Sequence, residues 1–101
     1  MDSLNITKIN SKYISALYLI STPIGNIEDI TIRSLDLIKN SDFIYCENPV
    51  ISIKLLHHYQ IKKKLYKYFD YSSTDLRSKI CNLIKQGYVV SYLSDCGTPT
   101  I

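Results

Sequence analysis

The chain has 101 residues, 46% hydrophobic and 21% charged, with a formal net charge of +3. That length allows at most one domain, and that composition excludes a globally disordered chain. The mild basicity permits a polyanionic partner without demanding one, and no stretch approaches the roughly 18 apolar residues needed to span a membrane.

Residues 1–15 are polar, with scattered isoleucines and no clear period, and are expected to form a flexible lead-in to a domain covering residues 16–101. They lack the basic and apolar regions of a secretion signal. The run Ala16-Leu17-Tyr18-Leu19-Ile20 is short and unbroken in its apolarity, which predicts a buried strand. It breaks at Ser21-Thr22-Pro23-Ile24-Gly25-Asn26, where Pro23 fixes φ and Gly25 permits a positive one. A helix is predicted next, with Asp29 or Thr31 as N-cap and Ile32, Leu35 and Ile38 on one face. Asp42-Phe43-Ile44-Tyr45-Cys46 reads as a second strand. Strand, helix and strand make a βαβ unit, and parallel sheets bind ligands at the carboxyl ends of their strands. The Thr-Pro-Ile-Gly-Asn loop lies at such an end.

Asn48-Pro49 reads as an N-cap followed by proline at the first helical position, opening a helix that ends near Tyr59 and turns Leu55, Leu56 and Tyr59 inward. Lys62-Lys63-Lys64 is a solvated turn into a third strand, Leu65 to Tyr68. The lysines from Lys62 to Lys67, interleaved with Tyr66 and Tyr68, form either a phosphate-binding edge or an edge strand guarded by lysine. Ser72-Ser73-Thr74-Asp75 offers caps for a third helix carrying Leu76, Ile80, Leu83 and Ile84 at a 3.6-residue period. Gly87 stands where a C′ glycine belongs. Tyr88 to Leu93 is a fourth strand, and Ser94-Asp95-Cys96-Gly97-Thr98-Pro99 a second glycine-proline loop at a strand's carboxyl end. Alternating strands and helices predict an α/β fold with a parallel sheet and flanking helices, with both loops on one edge.

Three glycines are too few for a dinucleotide-binding or Walker loop. His57 and His58 are adjacent, about 100° apart around a helix, and cannot form an i, i+4 metal pair; no metal site is expected. Cys46, Cys81 and Cys96 form no CxxC pair and read as small buried hydrophobes in a reduced, cytoplasmic setting. Asp29, Arg33 and Glu47 are either cap, surface charge and strand-end carboxylate, or pocket groups, since all lie close to the first loop.

The stretch Leu17 to Asn26, with Asp29-Ile30-Thr31 and Arg33 after it, resembles the opening signature of the ribosomal RNA small subunit methyltransferase I family of the tetrapyrrole methylase superfamily. Ser94-Asp95-Cys96-Gly97-Thr98-Pro99 is similar to its second signature, usually Ser-Asp-Ala-Gly-Thr-Pro. The resemblance runs from about Leu17 to Ile101. It implies S-adenosylmethionine-dependent methylation of a cytidine ribose 2′-hydroxyl in small-subunit (16S) ribosomal RNA, by a homodimeric enzyme whose two α/β domains enclose the cofactor. Pro23, Gly25, Asp95, Gly97, Thr98 and Pro99 would then line the cofactor cleft, and Asn26, Asp29, Arg33 and Glu47 the substrate side. The resemblance stops just inside the second signature, so this chain corresponds to an incomplete amino-terminal domain. A non-catalytic binding relic is therefore the alternative to an enzyme, and a small-molecule tetrapyrrole methylase a third reading. Two departures stand out: Asn48-Pro49-Val50 replaces the family's Asp-Thr-Arg, and Thr100 the usual glycine. Loss of that arginine, with Val50 in its place, removes a charge-assisted phosphate or ribose contact and is expected to disable productive RNA engagement even in a full-length context.

Overall fold

The computed structural model describes residues 12–23, 25–67 and 74–94. The described elements are β1 (Leu17–Ser21), a 3-10 turn (Ile27–Asp29), α1 (Ile32–Lys39), β2 (Phe43–Cys46), α2 (Pro49–His58), β3 (Leu65–Lys67), α3 (Thr74–Lys85) and β4 (Val90–Ser94). The strands form one sheet in the order β1-β4-β2-β3, and every pairing is parallel. The predicted α/β class holds. Lateral order does not follow chain order, because β4 returns between β1 and β2.

That return decides which face each helix covers. Right-handed crossovers toward β2 and β3 put α1 and α2 on one face, and reversal of direction puts α3 on the other. Two core clusters match this division. Ile20, Leu37, Ile38, Ile44, Leu55, Leu56 and Leu93 are buried on the α1–α2 side, while Tyr45, Ile80, Val90 and Tyr92 pack with Leu76 and Leu83 on the α3 side. β4, buried along its whole length, supplies residues to both. Ser91, fully buried on this strand, is satisfied by a hydroxyl–hydroxyl bond to Ser41.

Local chemistry sets the element ends. Thr31 caps α1 by accepting from the Ser34 amide at 3.0 Å; Asp29 lies instead in the 3-10 turn capped by Asn26. Gly87 takes φ +96° at the end of α3, the left-handed geometry expected of a C′ glycine.

Some sequence expectations are corrected. Ile32 is 86% exposed rather than packed with Ile38. A crossover helix runs antiparallel to its strands, so the first turn of α1 overhangs their carboxyl ends, with no sheet beneath it. Leu19 of β1 is also half exposed, because β1 lies at an edge of the described sheet. Cys81 is exposed, on the outward side of α3 beside buried Ile80, whereas Cys46 is buried as expected. Tyr68 and Cys96 lie outside the described residues.

Lys12 to Ser15, in the expected lead-in, are tied to the domain. Ser15 Oγ lies 2.6 and 2.7 Å from the carbonyl oxygens of Ile84 and Tyr88. Lys12 Nζ pairs with Asp36 at 2.7 Å, and the Tyr13 hydroxyl donates to the same carboxylate. The hydrogen bonds from Lys12 and then Tyr13 hold the Asp36 carboxyl below the usual carboxylate range.

Ile38→Ala, at a fully buried position, is expected to cost about 2–5 kcal/mol in urea denaturation. Ile32→Ala should stay within about 0.5 kcal/mol. Because the folded pKa of Asp36 is depressed, its contribution is present above the unfolded value of about 4 and is lost as pH falls through the folded one. Asp36→Asn should therefore flatten the loss of stability on acidification below about pH 4, measured as urea midpoints across pH.

Candidate functional site

Parallel pairing brings all four strand ends to one edge. Ser21 of β1 lies opposite Ser94 of β4, so the strand ends that precede the two glycine-proline segments are adjacent. Thr22 joins those positions. Its amide donates to the Ser94 carbonyl at 2.7 Å and its hydroxyl to the same oxygen at 3.0 Å. On the other side of β4, the Glu47 amide donates to the Leu93 carbonyl at 3.2 Å, and the Ser94 hydroxyl to Glu47 Oε1 at 3.2 Å. Glu47 is thus seated on this edge, between the ends of β2 and β4.

The first loop walls a cleft of about 330 Å³ lined by Thr22, Pro23, Gly25, Ile27, Ile51, Lys54 and Leu55. Gly25 has φ +89°, and a Cβ built there would meet nothing within 4 Å. Glycine is required by the backbone conformation, since L side chains avoid this region, and not by crowding. Asn26 closes the turn, accepting from the Glu28 amide at 3.0 Å and lying 3.4 Å from Asp29 Oδ1 through its side-chain nitrogen. The Tyr59 hydroxyl donates to the Ile27 carbonyl at 2.9 Å, which fastens the loop to the end of α2.

Of the residues singled out from sequence, Pro23 and Gly25 line the cleft and Glu47 sits on the adjoining edge. Asn26 and Asp29 are exposed and engaged with each other, and Arg33 is exposed on α1; none of the three lines the cleft. Asp95, Gly97, Thr98 and Pro99 lie outside the described residues. Ile27, Ile51, Lys54 and Leu55 were not singled out as site residues; the last three belong to α2, which only the fold brings against the first loop. Thr22 carried a readable signal as a polar residue directly after a strand; it is 4% exposed. Among the described residues, no three His, Cys, Asp or Glu side chains are grouped to hold a metal ion. No helix there is long and apolar enough to cross a membrane.

Comparison with known proteins names the chemistry of the relatives. Over 87 residues the chain is 54% identical to the ribosomal RNA small subunit methyltransferase I of Rickettsia prowazekii, covering 86% of this chain and 31% of that protein. The same-named protein of Mesomycoplasma conjunctivae is 46% identical over 84 residues, 82% of this chain and 35% of its own. That of Bacillus subtilis is 40% identical over 85 residues, 84% and 29% respectively. This chain is a relative of ribosomal RNA small subunit methyltransferase I. It spans about a third of the length of these curated relatives. No family profile matches it.

The expected departure from the methyltransferase I pattern, Asn48-Pro49-Val50, has a structural role here. Asn48 is the N-cap of α2, its side chain accepting from the Val50 amide at 3.1 Å, with Pro49 in the first turn. Val50 is 64% exposed. Asn48→Ala should cost about 1 kcal/mol in chemical denaturation, whereas Asn48→Asp, the residue usual in the family, should be near neutral because both cap equally well.

Proposed function

We propose that this chain forms the methyl-donor side of an S-adenosylmethionine-dependent ribosomal RNA methyltransferase, acting on the ribose 2′-hydroxyl of a cytidine in small-subunit RNA, in the cytoplasm and as a homodimer. The function in the relatives' names supports the class of reaction. The observation that carries the reading is the pairing of Ser21 with Ser94, which sets side by side the two strand ends that precede the glycine-proline segments, at the carboxyl edge of a parallel sheet.

The cleft residues fit such a cofactor. Ile27, Ile51 and Leu55 offer an apolar wall for a nucleoside, and Gly25 leaves open space for close backbone approach. The Lys54 ammonium, at the same wall, suits the carboxylate of an amino-acid moiety. The cleft's volume of about 330 Å³ is at the lower end of small-molecule sites. S-adenosylmethionine supplies a methyl group already activated on a sulfonium. The chain's own work is then binding and alignment: Thr22 pins the first loop to β4, and Tyr59 holds its far side to α2.

An open cleft buries one side of such a ligand and forfeits part of the desolvation that gives affinity. Calorimetric titration of this chain with S-adenosylmethionine is expected to give a dissociation constant weaker than micromolar, less favourable than about −8 kcal/mol. Fused to the remainder of the Rickettsia prowazekii relative, with Asn48→Asp, Pro49→Thr and Val50→Arg, the chain is expected to leave 2′-O-methylcytidine in 16S RNA, read by mass spectrometry of nucleosides. A fusion that binds S-adenosylmethionine yet methylates no ribose overturns the proposal.

A further inference from the structure

Residues 48–67 contain five lysines and two histidines and no carboxylate. This segment alone carries five positive charges in a chain of net +3, so the rest is acidic by two. The fold gathers four of the five lysines at one place, Lys54 lying instead at the cleft. β3 ends the sheet on the side away from β1, and no strand lies beyond it among the described residues. Lys62, Lys63, Lys64 and Lys67 are all exposed along this edge. Lys63 is anchored, its ammonium donating to the Ser41 carbonyl at 2.6 Å, which fixes the path of the approach to β3. Asp42, at the start of the neighbouring strand, accepts from the Val89 amide at 2.8 Å.

An aromatic platform accompanies the charge. Tyr66 is half-buried, and its ring centroid lies 5.4 Å from that of Tyr45 and 5.9 Å from that of Phe43. These neighbours hold the ring on the α3 side of the sheet. Lys64 Nζ stands over the Tyr66 ring, 5.0 Å from its centroid, so a stacking base takes the place of this ammonium. Lys64 shares the face of Tyr66, while Lys62 and Lys67 flank that face along the edge strand; ammonium groups beside a rigid, partly exposed ring offer a single-stranded nucleic acid phosphate partners and a π-face for a base. A lysine-guarded edge strand accounts for the charge but not for a braced ring among it.

We propose that the β3 edge, Lys62, Lys64 and Lys67 with Tyr66, is a docking strip for single-stranded RNA, separate from the cleft behind the first loop. The proposal rests on the RNA-methyltransferase reading for its partner and assigns that partner a surface. Base stacking on Tyr66 and phosphate contacts from the lysines hold the strand, independently of its sequence.

The test is fluorescence anisotropy with a labelled, unstructured 12-nucleotide RNA of mixed sequence, titrated with the full chain at several salt concentrations. Lys62→Gln/Lys64→Gln should reduce the log–log salt slope by about 1.4, or about 0.7 for each single-strand phosphate that is no longer neutralised. Tyr66→Leu should weaken binding by about five- to 150-fold at fixed salt, and Tyr66→Phe, which keeps the ring, should not. The lysine variants change exposed side chains only, so they remain informative if Tyr66→Leu unfolds. Unchanged slope and affinity in the double lysine variant overturn the proposal, as does tighter binding to phosphatidylserine vesicles than to RNA. RNA binding that responds as expected, beside a fusion that transfers no methyl group, would sink the catalytic reading and leave this one standing.

Discussion

The insertion of β4 between β1 and β2 is the constraint on which the rest of the structure depends. Its neighbours bond to it from before its first residue to its last. The Val90 amide donates to the Ala16 carbonyl, the Asp42 and Phe43 amides share the Val89 carbonyl, and at the far end Thr22 and Glu47 donate to Ser94 and Leu93. A central strand buried on both faces must be apolar or internally satisfied. β4 meets that with Val90, Tyr92 and Leu93, and with Ser91 bonded to Ser41. A shift of β4 by one residue would exchange its two faces, and with them both halves of the core.

The position of the cleft is a consequence of that register. The first loop is held by Thr22 on one side and by Tyr59 on the other, so its glycine and proline are presented by two elements far apart in sequence. A loop with that composition in an unpaired chain would sample many conformations; here its base is tied to a buried strand. Local conformational freedom at Gly25 is thereby confined to one left-handed residue.

Charge and cleft occupy different parts of the same sheet. The cleft is associated with β1 and α2, whereas the lysines line β3, at the opposite edge. With strands about 4.8 Å apart, three steps separate those edges by about 14 Å. An extended polymer crosses that distance with a few units, so one strand held at β3 can reach the carboxyl edge where Glu47 and Ser94 meet.

Sequence by itself determined the elements and their caps. Apolar runs, the Asn48-Pro49 pair, Thr31 and Gly87 each act within a few residues, and that short range makes them readable. It also located the first glycine-proline loop at a strand end, and the lysine-rich segment. It could not say which strands are neighbours, because parallel pairing joins residues such as Ser21 and Ser94 that are 73 positions apart and leaves no local pattern. The misplacement of Ile32 has the same root: helical periodicity defines a face, but only packing shows where along the helix the sheet ends. Tertiary structure alone brought Ile51, Lys54 and Leu55 against the first loop and set the lysines at an edge of the described sheet, because both depend on where the chain reversed direction to insert its last described strand.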